Sequence, residues 1–138
     1  MHDYGDLRGS VWREERTFMR KQNNRETGGF FEERACAYLK EKGLQVVERN
    51  FRIRQGEIDV VARDKGTLVF VEVKYRKDSL AGLPQEAVTY KKQKQISRMA
   101  LFYLSFHKLP LSTPCRFDVV AICKDEICWI PNAFDFVR

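Results

Sequence analysis

The sequence predicts one α/β domain with a mixed central sheet covered by helices. Three observations carry this expectation. The patterns run in the order helix, three strands, helix, strands, which suits a single sheet joined by both hairpins and a helical crossover. The length of 138 residues fits one core, and 43% hydrophobic residues with 10 Phe supply the apolar surface for it. There are no internal repeats and no low-complexity segment to suggest a solenoid or a long linker.

Residues 1–25 stand apart from residues 26–138. In the first segment Arg8, Arg13, Arg16, Arg20, Lys21 and Arg25 outnumber four acids, and few large apolar groups interrupt them. This basic extension reads as a mobile tail or a loose helix, either a solvated leader or an arm touching phosphates, with Trp12 and Phe18 available for docking. Thr27 then caps a helix expected to reach about Lys42, with Gly43 as its stop signal. Ala35, Cys36 and Leu39 follow Glu32 by three, four and seven residues, so Glu32 falls on the apolar stripe while Glu33 is rotated away. An acid on that stripe either needs a partner inside or sits at an edge where it meets water or an arginine.

Leu44 to Ile53 reads as the first strand, with Val46, Val47, Phe51 and Ile53 apolar. Arg49, Arg52 and Arg54 place positive charge just ahead of an acidic segment, where they either contact phosphates or balance the acids. Residues 75–83, with Arg76, Lys77 and Gly82, form a basic loop after the third strand. Pro84 suits the first turn of a second helix running to about Phe106. Its apolar row of Val88, Ile96, Met99, Ala100 and Tyr103 is interrupted by Lys92, and Lys91, Lys94 and Arg98 make the remainder basic. Lys92 either reaches a phosphate or snorkels to water with its stem buried. After Pro110 and Pro114, Arg116 to Cys123 forms a fourth strand and Ile127 to Ile130 returns beside it. Asp118 is read as structural, paired with Arg116 or a basic helix residue, and Phe134 and Phe136 as packing residues.

The chemistry concentrates in the second and third strands, residues 55–74. Strand alternation puts Glu57 and Asp59 on one face of the second strand and Glu72 and Lys74 on one face of the third. A two-residue turn at Lys65-Gly66, with Gly supplying the positive φ, pairs Asp64 with Thr67 and sets Asp59 opposite Glu72, their Cβ atoms about 5 Å apart. Two carboxylates so close repel each other unless a proton or a cation lies between them. The flanks are apolar on both faces, with Leu68 and Phe70 on one and Val69, Val71 and Val73 on the other. Buried charges must be paired or bind metal, and Mg²⁺ is commonly held by one or two carboxylates, several waters and a substrate phosphate.

Gly56-Glu57-Ile58-Asp59, then Phe70-Val71-Glu72-Val73-Lys74 with Arg76, then Arg116-Phe117-Asp118-Val119-Val120, and finally Asn132-Ala133-Phe134 occur in that order. Over about residues 26–136 this resembles the YraN family of small bacterial endonuclease-like proteins, and its Asp59, Glu72 and Lys74 resemble the D-x(n)-E-x-K core of restriction-endonuclease-like nucleases. The resemblance implies a restriction-endonuclease-like fold in α-β-β-β-α-β order, related to Holliday junction resolvases. It implies catalytic roles for Asp59, Glu72 and Lys74, and Mg²⁺ or Mn²⁺ at Asp59 and Glu72. Glu32 is implied to face that metal, with Glu57 a further ligand or a partner of Lys74. Lys92 and Gln93 match the family's helix motif. Phe31 departs from it, standing where the family carries a small residue before the glutamate.

The net charge of +6 and pI of about 9.3 favour a polyanionic partner, with Arg52, Arg54, Arg76, Lys91, Lys92, Gln93 and Lys94 as the expected nucleic-acid contacts. The expected substrate is DNA; a monomer and a homodimer fit the sequence equally. No apolar run reaches the ~18 residues of a membrane span and the N-terminus lacks a signal peptide's apolar core, so a cytoplasmic protein without membrane contact is expected. The cysteines at 36, 115, 123 and 128 lack CxxC spacing and are expected as free thiols, a Cys123–Cys128 disulfide or partial zinc site being the alternative. His2 and His107 are read as surface residues. The functional expectation is metal-dependent phosphodiester hydrolysis, alongside the alternative of a binding module that keeps the fold without the chemistry.

Overall fold

The computed structural model describes residues 29–82 and 88–138. Helix α1 covers residues 29–41. It ends as its sequence dictates, because Gly43 adopts φ +100° and lets the Leu44 amide turn back onto the Leu39 carbonyl at 3.0 Å, with Gly43 donating to Lys40. The expected cap at Thr27 and the basic extension lie outside the described residues.

Five strands follow: β1 (Gln45–Ile53), β2 (Gly56–Asp64), β3 (Thr67–Tyr75), β4 (Cys115–Cys123) and β5 (Glu126–Phe134), with helix α2 (Tyr90–Phe106) between β3 and β4. They form one sheet in the order β1-β2-β3-β4-β5, antiparallel throughout except for the parallel pair β3 and β4 that α2 connects. This is the mixed α/β architecture that the sequence predicts, and its α-β-β-β-α-β order matches the restriction-endonuclease-like core, with β5 appended at the edge.

Strand alternation assigns each helix a face. Val69 and Val71 of β3 and Val120 and Ile122 of β4 pack with Ala35, Cys36 and Leu39 of α1. Leu68, Phe70, Val119 and Ala121 pack on the other face with Ile96, Met99, Ala100, Tyr103 and Leu104 of α2. Complete burial of each large side chain contributes roughly 1.5–3 kcal/mol, so β3 and β4, covered on both faces, form the core of the sheet. Helix α2 comes close to β2 because Gly56 has no side chain: a Cβ there would lie 2.8 Å from Gln95 Nε2 and 3.4 Å from Met99 Sδ.

Several local expectations are corrected. In the β2–β3 turn the left-handed residue is Lys65, at φ 58°, not Gly66. The first central position of either common two-residue hairpin turn needs positive φ, and Lys124 fills the same place in the β4–β5 turn at φ 55°. Helix α2 begins at Tyr90, six residues after Pro84, the expected opening, which lies outside the described residues. Thr89 is its N-cap, with Oγ1 accepting from the Lys92 amide at 3.1 Å, which satisfies a donor that would otherwise be left free. Phe134 stacks on Phe117 at 5.0 Å, but Phe136 is 45% exposed. The chain end is held instead by Val137, whose amide donates to Ser97 Oγ. All four cysteines are free thiols, and His107 is exposed.

Asp118 is structural. Although fully buried, it accepts from Arg116 Nε and Nη2, from Trp129 Nε1 and from the Asn132 amide, all at 2.9–3.1 Å. Arg116 Nη1 also reaches Asp64 at 2.8 Å. The left-handed Asn132, at φ 53°, turns its amide onto Asp118 and lets β5 continue to Phe134, past the expected end at Ile130.

Candidate functional site

The β2–β3 ladder runs from Asp64↔Thr67 to Val60↔Val71 and stops there. Past that pair β2 stays with β1 as far as Gly56↔Ile53, and β3 stays with β4 as far as Tyr75↔Ile122. The sheet therefore forks between its second and third strands. Asp59 and Glu72 are the first residues beyond the last pair, one on each strand, and both line the opening. The Val73 amide at the fork is satisfied by a side chain, donating to Asp59 Oδ2 at 2.8 Å.

The fork opens into a cleft of ≈ 240 Å³ that both helices reach from their opposite faces. Phe31 and Glu32 come from α1, Glu57 and Asp59 from β2, Glu72, Val73 and Tyr75 from β3, and Lys92 from α2. Four acids thus line one cleft. Asp59 is 8% exposed and Glu32 7%, whereas Glu33 is exposed.

Burial is the main force on these carboxyls. It raises the Asp59 pKa well above the ordinary range, and the Glu72 charge adds to the effect while the Val73 amide opposes it. Glu72 is also raised by burial, against the pull of Lys92 and then of Lys74. Lys92 Nζ lies 3.9 Å from Glu72 Oε2. The two carboxyls thus raise each other's cost of ionisation, and the Val73 amide is the backbone donor that eases it for Asp59. Burial raises Glu32 too, offset in part by a hydrogen bond with Asn50, and Glu32 Oε1 is buried without a hydrogen-bond partner. Glu57 meets Arg52 Nε at 2.9 Å, and Arg52 Nη2 reaches Asn50 Oδ1 at 3.4 Å.

These shifts fix a sign for stability against pH. An acid with a raised folded-state pKa costs no stability while both states are protonated. As pH rises from its unfolded-state value, near 4, the unfolded chain ionises first and stability falls until the folded-state pKa is passed. Asp59→Asn removes this penalty and keeps an oxygen for the Val73 amide. In EDTA the variant should therefore melt higher than wild type at pH 7, with the gap closing toward pH 4; each ~1 kcal/mol of relief appears as roughly 3–6 °C. Thermal melts of both proteins from pH 4 to 8 check this.

Among the described residues no three Asp, Glu, His or Cys side chains form a ready group of metal ligands. The donors suit a different mode. Asp59 and Glu72 lining one cleft and the unpartnered Glu32 Oε1 fit a hydrated Mg²⁺ or Mn²⁺ held by one or two carboxylates, with water completing the shell.

The other anticipated residues are spread more widely. Lys74 is half-buried and acts on Glu72 through its charge, but does not line the cleft. Arg54, Lys91 and Lys94 are exposed. Arg76 is half-buried, its amide donating to Ile122. Gln93 Nε2 donates to the Val88 carbonyl at 3.0 Å, which ties the entry of α2 in place. Sequence reasoning missed Asn50, at φ 56° opposite the fork. An asparagine within a strand pattern was the available signal, since Asn tolerates the left-handed region better than most residues. It also missed Tyr75 as a cleft residue.

A family model described as "Uncharacterised protein family UPF0102" matches residues 31–122. The chain belongs to the UPF0102 family. A UPF0102 protein of Lachnoclostridium phytofermentans is 56% identical over 104 residues, covering 75% of this chain and 88% of that protein. One from Aliivibrio fischeri strain MJ11 is 48% identical over 117 residues, with 83% and 95% covered. Another from Syntrophus aciditrophicus is 50% identical over 112 residues, with 80% and 87% covered. The UPF0102 span begins at Phe31 on the cleft wall and takes in all the cleft residues, whereas Trp129 and Asn132, which serve Asp118, lie beyond it.

Proposed function

We propose that this UPF0102 protein is a metal-dependent nuclease that hydrolyses phosphodiester bonds, most naturally in DNA. The observation that carries the reading is the fork that buries Asp59 against Glu72 inside a cleft with two further acids and a lysine. A fold that places acids there without a cation accepts a standing electrostatic penalty, which points to a site built for a ligand. Asp59 and Glu72 would hold Mg²⁺ or Mn²⁺, with Glu32 contacting it directly or through water. When bound, such a cation polarises a phosphate oxygen and lowers the pKa of a coordinated water. Lys92, beside Glu72, and Lys74, farther along the strand, supply positive charge where a phosphate becomes more negative during attack. Arg52 holds Glu57 at the edge of the site.

One observation favours a second reading, a nucleic-acid-binding module without chemistry: Lys92 gives Glu72 a protein cation that partly replaces a metal. Incubating the full chain with duplex, single-stranded and four-way-junction DNA in Mg²⁺, Mn²⁺ and EDTA separates the two. Metal-dependent products support the nuclease, and binding without products in every condition supports the module.

The exposed Lys91 and Lys94 give a further expectation. Lys91→Ala combined with Lys94→Ala should weaken binding to all sequences alike and flatten the log affinity against log salt slope by about 1–2, because each phosphate contact contributes ~0.9. A salt titration by fluorescence anisotropy measures it, and an unchanged slope would move the interface away from α2.

A further inference from the structure

The cleft wall on the α1 side is aromatic. Phe31 and Tyr75 are stacked, with centroids 4.2 Å apart and planes at 19°, and Phe30 meets Phe31 edge-on at 5.2 Å. In simple packing the outer ring of such a stack would be covered. Instead Tyr75 is 47% exposed and Phe30 58%. Phe31 occupies one side of the Tyr75 ring and orients it, while solvent reaches what remains.

The position of this stack relative to the acids gives it a use. Strand alternation sets Val73 and Tyr75 on the α1 face and Glu72 and Lys74 on the α2 face, and the fork joins the two sides. Tyr75 lies three residues along β3 from Glu72, about 10 Å at ~3.3 Å per residue. Cations collect on the opposite side, where Lys92 lines the cleft and Lys91 and Lys94 are exposed on the same helix. Aromatic rings on one wall and lysines on the other match the two halves of a nucleotide, a flat base and a charged phosphate.

We infer that the Phe31–Tyr75 stack is a platform for an unpaired nucleobase next to the phosphate held at the fork, so that the preferred substrate is single-stranded nucleic acid or a strand with unpaired bases. This inference rests on the proposed nuclease reading and gives it a substrate class. The limit to unpaired bases follows from geometry. In a duplex each base has both faces covered by its neighbours, so a ring can stack only on a base that has left the helix. Stacking needs no particular base, so the preference concerns strandedness and not sequence.

The test is binding of the full chain, in EDTA, to a fluorescein-labelled single strand and to the same sequence as duplex. Tyr75→Leu should weaken single-strand binding by roughly tenfold, as loss of one base stack does, and leave duplex binding within about twofold. Tyr75→Phe should bind as wild type. A single abasic position walked along the oligonucleotide should produce one local loss of affinity that Tyr75→Leu erases, a readout that does not depend on the variant's own stability. Equal losses on both substrates, or no loss from either the variant or the abasic walk, would overturn the platform and leave the nuclease reading standing. A wild type that binds no nucleic acid would overturn both.

Discussion

Asp59→Asn should lower phosphodiester cleavage by at least about a hundredfold. Losing a partner in the outer shell of a metal site costs about 10–100-fold in metal affinity or activity, and Asp59 is assigned to the metal itself. Asparagine keeps the size of the side chain and an acceptor for the Val73 amide, so the fork should remain folded. It removes one negative charge, and metal affinity should therefore fall together with the rate. Nucleic-acid binding should not fall. Lys74→Ala should slow cleavage while leaving metal binding nearly intact, since this lysine lies outside the cleft and acts through its field. Titrating Mn²⁺ calorimetrically and timing cleavage with the same preparations would decide the matter. Cleavage by Asp59→Asn at the wild-type rate would end the nuclease reading.

Arg116→Met should be the most damaging single change outside the cleft, lowering stability by about 3–5 kcal/mol, or roughly 10–20 °C in Tm. The substitution retains the apolar stem and removes two of the four hydrogen bonds that Asp118 accepts, leaving that carboxylate fully buried with only Trp129 and the Asn132 amide. Asp64 would lose its partner but is only partly buried, so water compensates for most of that loss. Replacing Arg116 and Asp118 together by apolar residues should cost less than Arg116→Met alone, because no unpaired charge remains inside. Urea unfolding of the single and double variants measures the difference. A double variant less stable than Arg116→Met would show that the network matters for its shape rather than its charge balance.

The sequence carried much of this in residue order and alternation. Leu68 to Val73 alternate so regularly that each face of β3 could be assigned before any partner was known, and the Lys65-Gly66 turn then placed Asp59 against Glu72. Glu32 was legible for the opposite reason, as a charge on a stripe that should have none. Three features depended on tertiary context. The start of α2 is marked by Thr89, which caps the Lys92 amide while Val88 packs in the core just ahead of the helix, and Pro84, the opening that the sequence suggests, lies outside the described residues. Asn50 carried only a weak signal, an asparagine within a strand pattern, while its place beside Glu32 and Arg52 depends on tertiary contacts. Tyr75 read as part of a basic loop because its stacking partner, Phe31, lies 44 residues earlier.

The way the sheet splits has a mechanical consequence. Arg116 reaches from β4 across β3 to Asp64, at the end of β2 farthest from the acids. The two halves of the sheet are thus riveted at one end, joined by five cross-strand pairs from Asp64↔Thr67 to Val60↔Val71, and without ladder pairs at the other. By lever geometry, any rotation about the riveted end would change the gap between Asp59 and Glu72 more than the spacing of the apolar layers near the rivet. The Asp59–Val73 hydrogen bond is the latch at the open end, and the same carboxylate that would grip the metal also sets how far the strands stand apart.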